Sequence, residues 1–537
     1  MIKLNKIPKV IVTFGGVYSS LGKGIAVSSI GRILTSFGFK VSVIKMDPYL
    51  NINPGNMAPG QHGEVYVTYD GAQTDLDLGN YERFIGRHLT QLSNLTSGRI
   101  YWDILHKEEK GGFGGKTVQV IPHVTDYIKD RIATVADKDK PDFLLIEVGG
   151  TVGDIESVPF IEALSQLTSE WTINNVMSIL LAPLISLGST TGELKTKPAQ
   201  HAIKNLRASS IYPSMLILRT AKKVDDETKE KLALTTHMPV EGMFNAIDQK
   251  SIYNIPISFY EQKIHEHIFK YFNMKVDPKR DTFKETWGKF FNKVSKLKKS
   301  INVALVGKYT KLHDAYFSLI EALKFAGYEN DVKVNLVWMP CDDIKPQSYD
   351  KAFKNIQAVV VPGGFGDRGT ESMIRILKYI REKNIPCLGI CLGMQLMSME
   401  FARNVLKLED ANSTEFAKDC EHKIYEMMDG NLRLGDQECL IEKGSIAEKI
   451  YKANKIDQRH RHRYGLINPE YIKQFNEKGL KMTSTGKYNN LIVAEFSELP
   501  TNRCYIGCQF HPEFHSRPKE TDPIFTYLIQ KGIEYSK

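Results

Sequence analysis

Apolar positions in the first 270 residues fall into short continuous runs separated by stretches with helical periodicity. Val10-Ile11-Val12-Thr13, Val41-Ser42-Val43-Ile44, Phe143-Leu144-Leu145-Ile146 and Met215-Leu216-Ile217-Leu218 alternate little. Such runs predict strands buried on both faces of a parallel sheet. A second series opens at Asn302-Val303-Ala304-Leu305-Val306 and continues through Ala358-Val359-Val360-Val361 and Leu388-Gly389-Ile390. Between the two, Trp287, Phe290, Phe291, Val294 and Leu297 recur at helical spacing and predict an amphipathic connector. The pattern therefore predicts two α/β domains, 1–272 and 300–537, joined through 273–299.

A chain of 537 residues exceeds one core, and 42% hydrophobic with 25% charged residues is the composition of a soluble globular protein. No apolar run has bilayer-crossing length and Met1–Lys9 lacks a signal-peptide core, so a cytoplasmic location without membrane contact is expected. All seven cysteines follow residue 340, beginning at Cys341, and an odd number so placed predicts reduced thiols. The net charge of +9 raises the question of nucleic acid. Between Lys270 and Lys299, however, ten Lys or Arg stand against three acids, so most of the excess is a solvated face of the connector. Arg459-His460-Arg461-His462-Arg463 lacks interleaved aromatics and reads better as an anion contact by one arginine than as a nucleic-acid patch.

Directly after the first run comes Gly15-Gly16-Val17-Tyr18-Ser19-Ser20-Leu21-Gly22-Lys23-Gly24. Glycines there let backbone N–H groups converge on phosphate oxygens, the next helix offers its positive N-terminus, and Lys23 reaches the outer phosphates. Five residues rather than four separate Gly16 from Gly22, and Gly24 stands where a Ser or Thr would ligate Mg²⁺. A tight strand-to-helix turn is the competing reading. With no loop hydroxyl, hard oxygen ligands must come from elsewhere, and Asp77 and Glu147 are the candidates. Each alone also reads as a cap or surface charge, but Glu147 ends a buried run and needs a partner. Asp154-Ile155-Glu156 follows a glycine-rich turn, and Lys195-Thr196-Lys197-Pro198-Ala199-Gln200 reads either as an anion clamp or as solvated lysines. His123 reads as structural.

In the second series, Gly389-Ile390-Cys391-Leu392-Gly393 lies between a strand and a helical pattern, a nucleophile elbow with cysteine at its apex. Gln509-Phe510-His511-Pro512-Glu513-Phe514 supplies a base, His511, and a carboxylate to orient it, Glu513. Backbone N–H groups of Pro362-Gly363-Gly364-Phe365-Gly366 are oxyanion donors in this reading. A zinc site built from Cys387, Cys391, Cys504, Cys508 and His511 competes, although strand alternation makes a shared metal awkward.

Together these blocks resemble the CTP synthase family over nearly the whole chain. The resemblance rests on Gly15–Ile25, Lys45–Tyr49, Gln61–Val65, Asp75–Gly79, Gly149–Glu156, Val361–Gly366, Gly389–Gln395, Asn412–Phe416, Arg459–Tyr464 and Gln509–Phe514. It implies an N-terminal P-loop-like parallel-sheet synthetase domain (1–272), a basic amphipathic linker helix (273–299) and a C-terminal class I glutamine amidotransferase α/β domain (300–537). The implied reaction is ATP-dependent amination of UTP to CTP with ammonia from glutamine, the last step of de novo CTP synthesis.

By the same resemblance Ser20, Leu21, Gly22, Lys23, Gly24, Ile25, Lys45 and Asp77 bind ATP, and Asp77 and Glu147 hold Mg²⁺. Ser19, Asp154, Ile155, Glu156, Lys195, Thr196, Lys197, Pro198, Ala199, Gln200 and Lys231 bind UTP, with CTP as an overlapping feedback inhibitor. Gly364, Leu392, Gly393, Met394, Gln395, Glu415 and Arg463 hold glutamine, which Cys391, His511 and Glu513 hydrolyse. A homotetramer, activation by GTP, and no organic cofactor, nucleic acid or membrane partner complete what it implies.

The chain departs from the family pattern at Ala199 and Phe14, where threonines are usual, and in the glycine-rich Gly111–Gly115. It is also short between Cys420 and Arg433, where some relatives carry a longer lid linked to GTP. An amidotransferase acting on another acceptor, and an inactive assembly subunit, are the alternatives; the intact Lys23, Asp77, Glu147, Cys391, His511 and Glu513 speak against the second.

Overall fold

The computed structural model describes residues 4, 6–186, 194–310 and 312–537. They form two compact units, one of residues 1–55 and 77–292, the other of 56–76 and 293–537.

The first unit is built on a seven-stranded sheet. Its strands are β1 (Lys9–Gly15), β2 (Val41–Asp47), β3 (Asn94–Thr96), β4 (Phe143–Val148), β5 (Val176–Pro183), β6 (Met215–Thr220) and β7 (Met243–Ile247), in spatial order β7-β6-β5-β1-β4-β2-β3. Every pairing is parallel. Every residue of β2, β4 and β5 is buried, which is why their sequences are near-continuous apolar runs rather than alternating ones. The charged residues these strands do contain, Lys45, Asp47 and Glu147, stand at their carboxyl ends, the rim at which such sheets bind ligands.

Helix α1 (Lys23–Ser36) follows β1, and α2 (Asp77–Ile85) packs against α1. Gly22 caps α1 at φ +98°, a conformation open to glycine at little cost. Helices α3 (Lys197–Ala208) and α4 (Asp226–Thr236) flank β6 in the chain. The predicted connector helix is present as a π-type turn, Lys284–Gly288, running into α5 (Lys289–Lys296). Its lysines at 284, 289, 293 and 296 are exposed. Its apolar stripe is docked: Trp287 packs on Phe84 and Tyr253 and donates from its indole N–H to the Tyr253 carbonyl at 2.9 Å. Residues 273–292 therefore cluster with the first unit rather than standing apart as a linker.

The second unit carries a nine-stranded mixed sheet. Its strands are β8 (Ser300–Gly307), β9 (Lys333–Pro340), β10 (Ala358–Val361), β11 (Cys387–Ile390), β12 (Arg433–Ile441), β13 (Lys455–His462), β14 (Lys481–Tyr488), β15 (Leu491–Glu498) and β16 (Tyr505–Cys508). The order is β9-β8-β10-β11-β16-β15-β14-β12-β13, parallel as far as β16 and antiparallel beyond it. Residues 56–76 also belong here, which a linear division at residue 272 does not anticipate. Their hairpin, Tyr66–Val67 against Gln73–Thr74, seats the Tyr66 ring on Phe514 at 5.0 Å, and Arg459 donates to the Val67 carbonyl at 3.0 Å. All seven cysteines are free, and among the described residues no helix is long and apolar enough to cross a membrane.

Candidate functional site

In the first unit the β1–α1 loop faces a buried charge cluster. Lys45, at the end of β2, donates to Asp77 Oδ2 at 2.5 Å and to Glu147 Oε1 at 2.7 Å, and the Tyr81 hydroxyl donates to the other Glu147 oxygen. Burial works against the Lys45 charge, but Asp77 and Glu147 hold its pKa well above the ordinary lysine value. Burial also raises the Glu147 pKa, with the Asp77 charge adding to it, while Lys45 draws the Asp77 pKa down against its own burial. Lys23 reaches the Gly150 carbonyl at 2.7 Å, and burial lowers its pKa.

The glycine at position 24 has a steric reason. A Cβ there would collide with the Asp77 carboxylate, which fills the space a Ser or Thr side chain would take in the standard loop. Asp77, in the first turn of α2, offers a carboxylate oxygen where the loop has no hydroxyl. Asp77 and Glu147 offer hard oxygen atoms on either side of Lys45, a donor set that suits a Mg²⁺ ion.

Two cavities open beside the loop. One, of 130 Å³, is lined by Ser20, Leu21, Gly22 and Ile25 of the expected ATP set, and by Arg219, Gln249 and Phe259, which sequence reasoning did not single out. The other, of 540 Å³, is lined by Val17, Thr151, Gly153, Asp154, Lys197, Pro198, His201 and Asn205. Asp154, Lys197 and Pro198 were expected there. His201 and Asn205 follow Lys197 at four-residue steps on α3, a spacing that puts all three on one helix face and was legible in the sequence. The walls do not include Ser19, Ile155, Glu156, Lys195 or Lys231, all exposed, and Ala199 lies on the buried face of α3. Thr196 is buried and accepts from the Gln200 amide at 3.0 Å, so those two brace the start of α3.

In the second unit Cys391 joins β11 to α6 (Leu392–Phe401) at φ 51°, ψ −104°, a conformation that cysteine adopts only under constraint. Its N–H donates to the Cys508 carbonyl at 2.7 Å. A Cβ on Gly393 would strike the Val361 carbonyl, and one on Gly389 would strike Met397 and Gly393, so both flanking glycines are required by close approach. His511 Nδ1 and Glu513 Oε1 lie 2.7 Å apart, both buried. Burial works to lower the His511 pKa, but the Glu513 carboxylate and the Cys391 sulfur raise it to about 10.

Gly363 packs over the pair: a Cβ on it would lie 3.0 Å from His511 Cε1 and 3.6 Å from Cys391 Cβ. The Gly366 N–H donates to Glu415 Oε1 at 2.8 Å, and Lys308 donates to the Phe365 carbonyl at 3.2 Å and to that of Gly366. Cys391, His511, Glu513 and Gly364 share a cavity of 60 Å³ with Glu64, Tyr309 and Arg461. Leu392, Met394 and Gln395 are buried on α6, while Arg463 is exposed. Lys308, Arg461 and Glu64 were not assigned to this site; Glu64 and Arg461 fall within the blocks Gln61–Val65 and Arg459–Tyr464, while no short motif marks Lys308.

The basic run at 459–463 is mostly interior. Arg459, His460 and His462 are buried, and Arg461 donates to Gln73 Oε1 at 3.0 Å, so the run forms no exposed patch. The competing zinc reading also lacks geometry. Cys387 packs in the core cluster on one side of the sheet while Cys391, Cys504 and Cys508 pack in the other. Among the described residues, the groups close enough to share an ion do not include these four cysteines.

A strained cysteine elbow backed by a His–Glu pair, on the same chain as a glycine-loop α/β unit, defines an amidotransferase joined to a phosphate-binding unit. Residues 9–274 match the family model "CTP synthase N-terminus" and residues 311–531 match "Glutamine amidotransferase class-I". The chain belongs to the CTP synthase family. It is 45% identical over 531 residues to the CTP synthase of Caldanaerobacter subterraneus subsp. tengcongensis, covering 97% of this chain and 98% of that protein. It is 43% identical over 543 residues to that of Methanocaldococcus jannaschii, covering 98% and 99%. Among solved structures, the Trypanosoma brucei CTPS glutaminase domain with bound acivicin is 32% identical and aligns with 44% of this chain and 94% of that one at a TM-score of 0.42.

Proposed function

We propose that the protein converts UTP to CTP, using ATP to activate the uracil O4 and glutamine as the nitrogen source. What carries the proposal is the pairing on one chain of the Lys23–Lys45–Asp77–Glu147 cluster beside a glycine loop with the Cys391–His511–Glu513 elbow. Synthesis is assigned to residues 1–272 and glutamine hydrolysis to 300–537, with 273–299 as the segment between.

Hydrolysis begins when Cys391 Sγ, its proton already resting on His511, attacks the glutamine side-chain carbonyl carbon as the thiolate. N–H groups at Gly363 and Gly364 face the oxyanion. The C–N bond breaks, His511 returns the proton to the leaving nitrogen, and NH₃ departs. Water then cleaves the thioester to glutamate, with His511 as base. Glu513 orients the ring and stabilises the imidazolium. Glu415 and Arg463 offer opposite charges to the α-amino and α-carboxylate groups of glutamine.

In synthesis, Lys23 and Lys45 orient the ATP phosphates, and the γ-phosphoryl group moves to O4 of UTP. NH₃ attacks C4, phosphate leaves and one proton is lost. Mg²⁺, held by Asp77 and Glu147, would neutralise phosphate charge. The 130 Å³ cavity suits the ATP base, and the 540 Å³ cavity suits the pyrimidine nucleotide, CTP as inhibitor included. A homotetramer and a response to GTP belong to the same proposal. The test is absorbance-monitored conversion of UTP to CTP with ATP and glutamine; a folded preparation that makes no CTP from UTP overturns the reading.

A further inference from the structure

Beside the Cys391 sulfur lies an uncharged pair of amides. Gln509, the residue after β16, is fully buried, and its Nε2 donates to Cys391 Sγ at 3.6 Å, within range for a sulfur acceptor. Its other end is fixed: Gln509 Oε1 accepts from Gln395 Nε2 at 3.3 Å, and its backbone N–H is bonded to the Glu495 carbonyl at 2.9 Å. Because Gln395 occupies the carbonyl end with a donor, the N–H end is the one that faces the sulfur.

A buried primary amide could have been replaced by an apolar side chain of the same volume if filling space were its task. Here it presents a proton donor to an atom that is a poor acceptor as a thiol and a good one as a thiolate. The thiol's own outlet, the Arg461 carbonyl, lies 4.0 Å away and does little to hold the proton on sulfur. The charged and titratable groups facing Cys391 are His511 with Glu513 behind it, Arg461 from β13, Tyr425, and Cys508 at the end of β16. None of these takes the position held by the Gln509 amide.

We infer that Gln509 is a positioning residue for glutamine hydrolysis, holding the Cys391 sulfur on the strained elbow and favouring its thiolate form through the amide N–H. The inference rests on the reading of Cys391 as the nucleophile. Gln509 touches neither the glutamine carbonyl nor the leaving nitrogen in this scheme, so its effect falls on the readiness of the sulfur and not on substrate binding.

The test uses the full chain and measures the rate of Cys391 alkylation by iodoacetamide against pH, with the modified peptide identified by mass. Gln509→Met keeps the volume and removes the donor. It should move the half-maximal pH of alkylation up by about one unit. It should also lower kcat for glutamine hydrolysis roughly tenfold, leave KM for glutamine within about twofold, and leave ammonia-dependent CTP synthesis unchanged. An alkylation profile coincident with that of the unsubstituted protein overturns the inference. If Gln509→Met fails to fold, Gln509→Glu, the same in shape, supplies the same comparison: its profile should also move up, and an unmoved one overturns the inference equally. Cys391→Ser separates the two claims. Glutamine hydrolysis surviving in Cys391→Ser removes the nucleophile reading itself, whereas its loss together with an unmoved Gln509 profile removes only the role given to Gln509.

Discussion

At the scale of single residues, the charge state of His511 governs the proposed hydrolysis. Its pKa is about 10, with Glu513 and the Cys391 sulfur prevailing over burial, so the ring keeps its proton below that pH and loses it above. A proton donor for the leaving nitrogen is therefore present throughout the neutral range. Glu513→Gln removes the facing charge and should bring the alkaline limb of kcat/KM for glutamine down by about one unit or more. A pH–rate profile whose alkaline limb stays in place would show that Glu513 does not set the His511 charge.

The same scale explains what a motif conceals. Gly24 read as a missing ligand in the sequence, because a loop motif records only its own residues. In three dimensions the Asp77 carboxylate, from more than fifty positions downstream, occupies that very space. Sequence proximity could not reveal the substitution; the choice of Asp77 came from its residue type and the family resemblance.

At the scale of elements, β12, β13 and β15 are tied by a buried ion pair. Arg433 on β12 donates to Glu495 Oε1 on β15, and His460 on β13 lies 3.0 Å from Glu495 Oε2; all three side chains are fully buried. Burial works against the Glu495 charge, but His460, Arg433 and His462 together hold its pKa down at about 2. A depressed carboxylate contributes stability above its ordinary value of 4.5, and that contribution is lost as pH falls from there toward 2. Glu495→Gln strands the Arg433 guanidinium and should cost roughly 3–5 kcal/mol at pH 7. Urea melts between pH 7 and pH 3 should show the gap to the unsubstituted protein narrowing below about 4.5; a constant gap would mean that the pair carries no pH-dependent stability.

Elements were also where the sequence spoke most clearly. The near-continuous apolar runs correspond to β1, β2, β4, β6, β8, β10 and β11, because strands covered on both faces leave few polar positions to interrupt the pattern. The connector's aromatic stripe predicted its helix and its docking. The short hairpin at Tyr66–Thr74 left no such trace, since its two-residue strands are too brief for periodicity and are held by Arg459 from a distant part of the chain.

At the scale of the whole molecule, the division of labour was legible in the order of motifs, a glycine loop in the first half and a cysteine elbow in the second. Unit membership was not, since residues 56–76 leave the first unit and fold with the second. Pocket walls built across several elements, such as Arg219 with Gln249, carry no local signature either. What the motif order does imply is that the two half-reactions are separable. In the proposed scheme Cys391 is needed only to release ammonia, and Lys23 only to use it.

Cys391→Ala, assayed for CTP synthesis from UTP and ATP, tests that division most directly. With glutamine as the nitrogen source synthesis should be lost. With ammonium salts at a pH where free NH₃ is abundant, it should proceed at close to the unsubstituted rate, while Lys23→Ala should fail with both sources. A folded Cys391→Ala protein that is inactive with ammonia, or that still uses glutamine, would contradict the account.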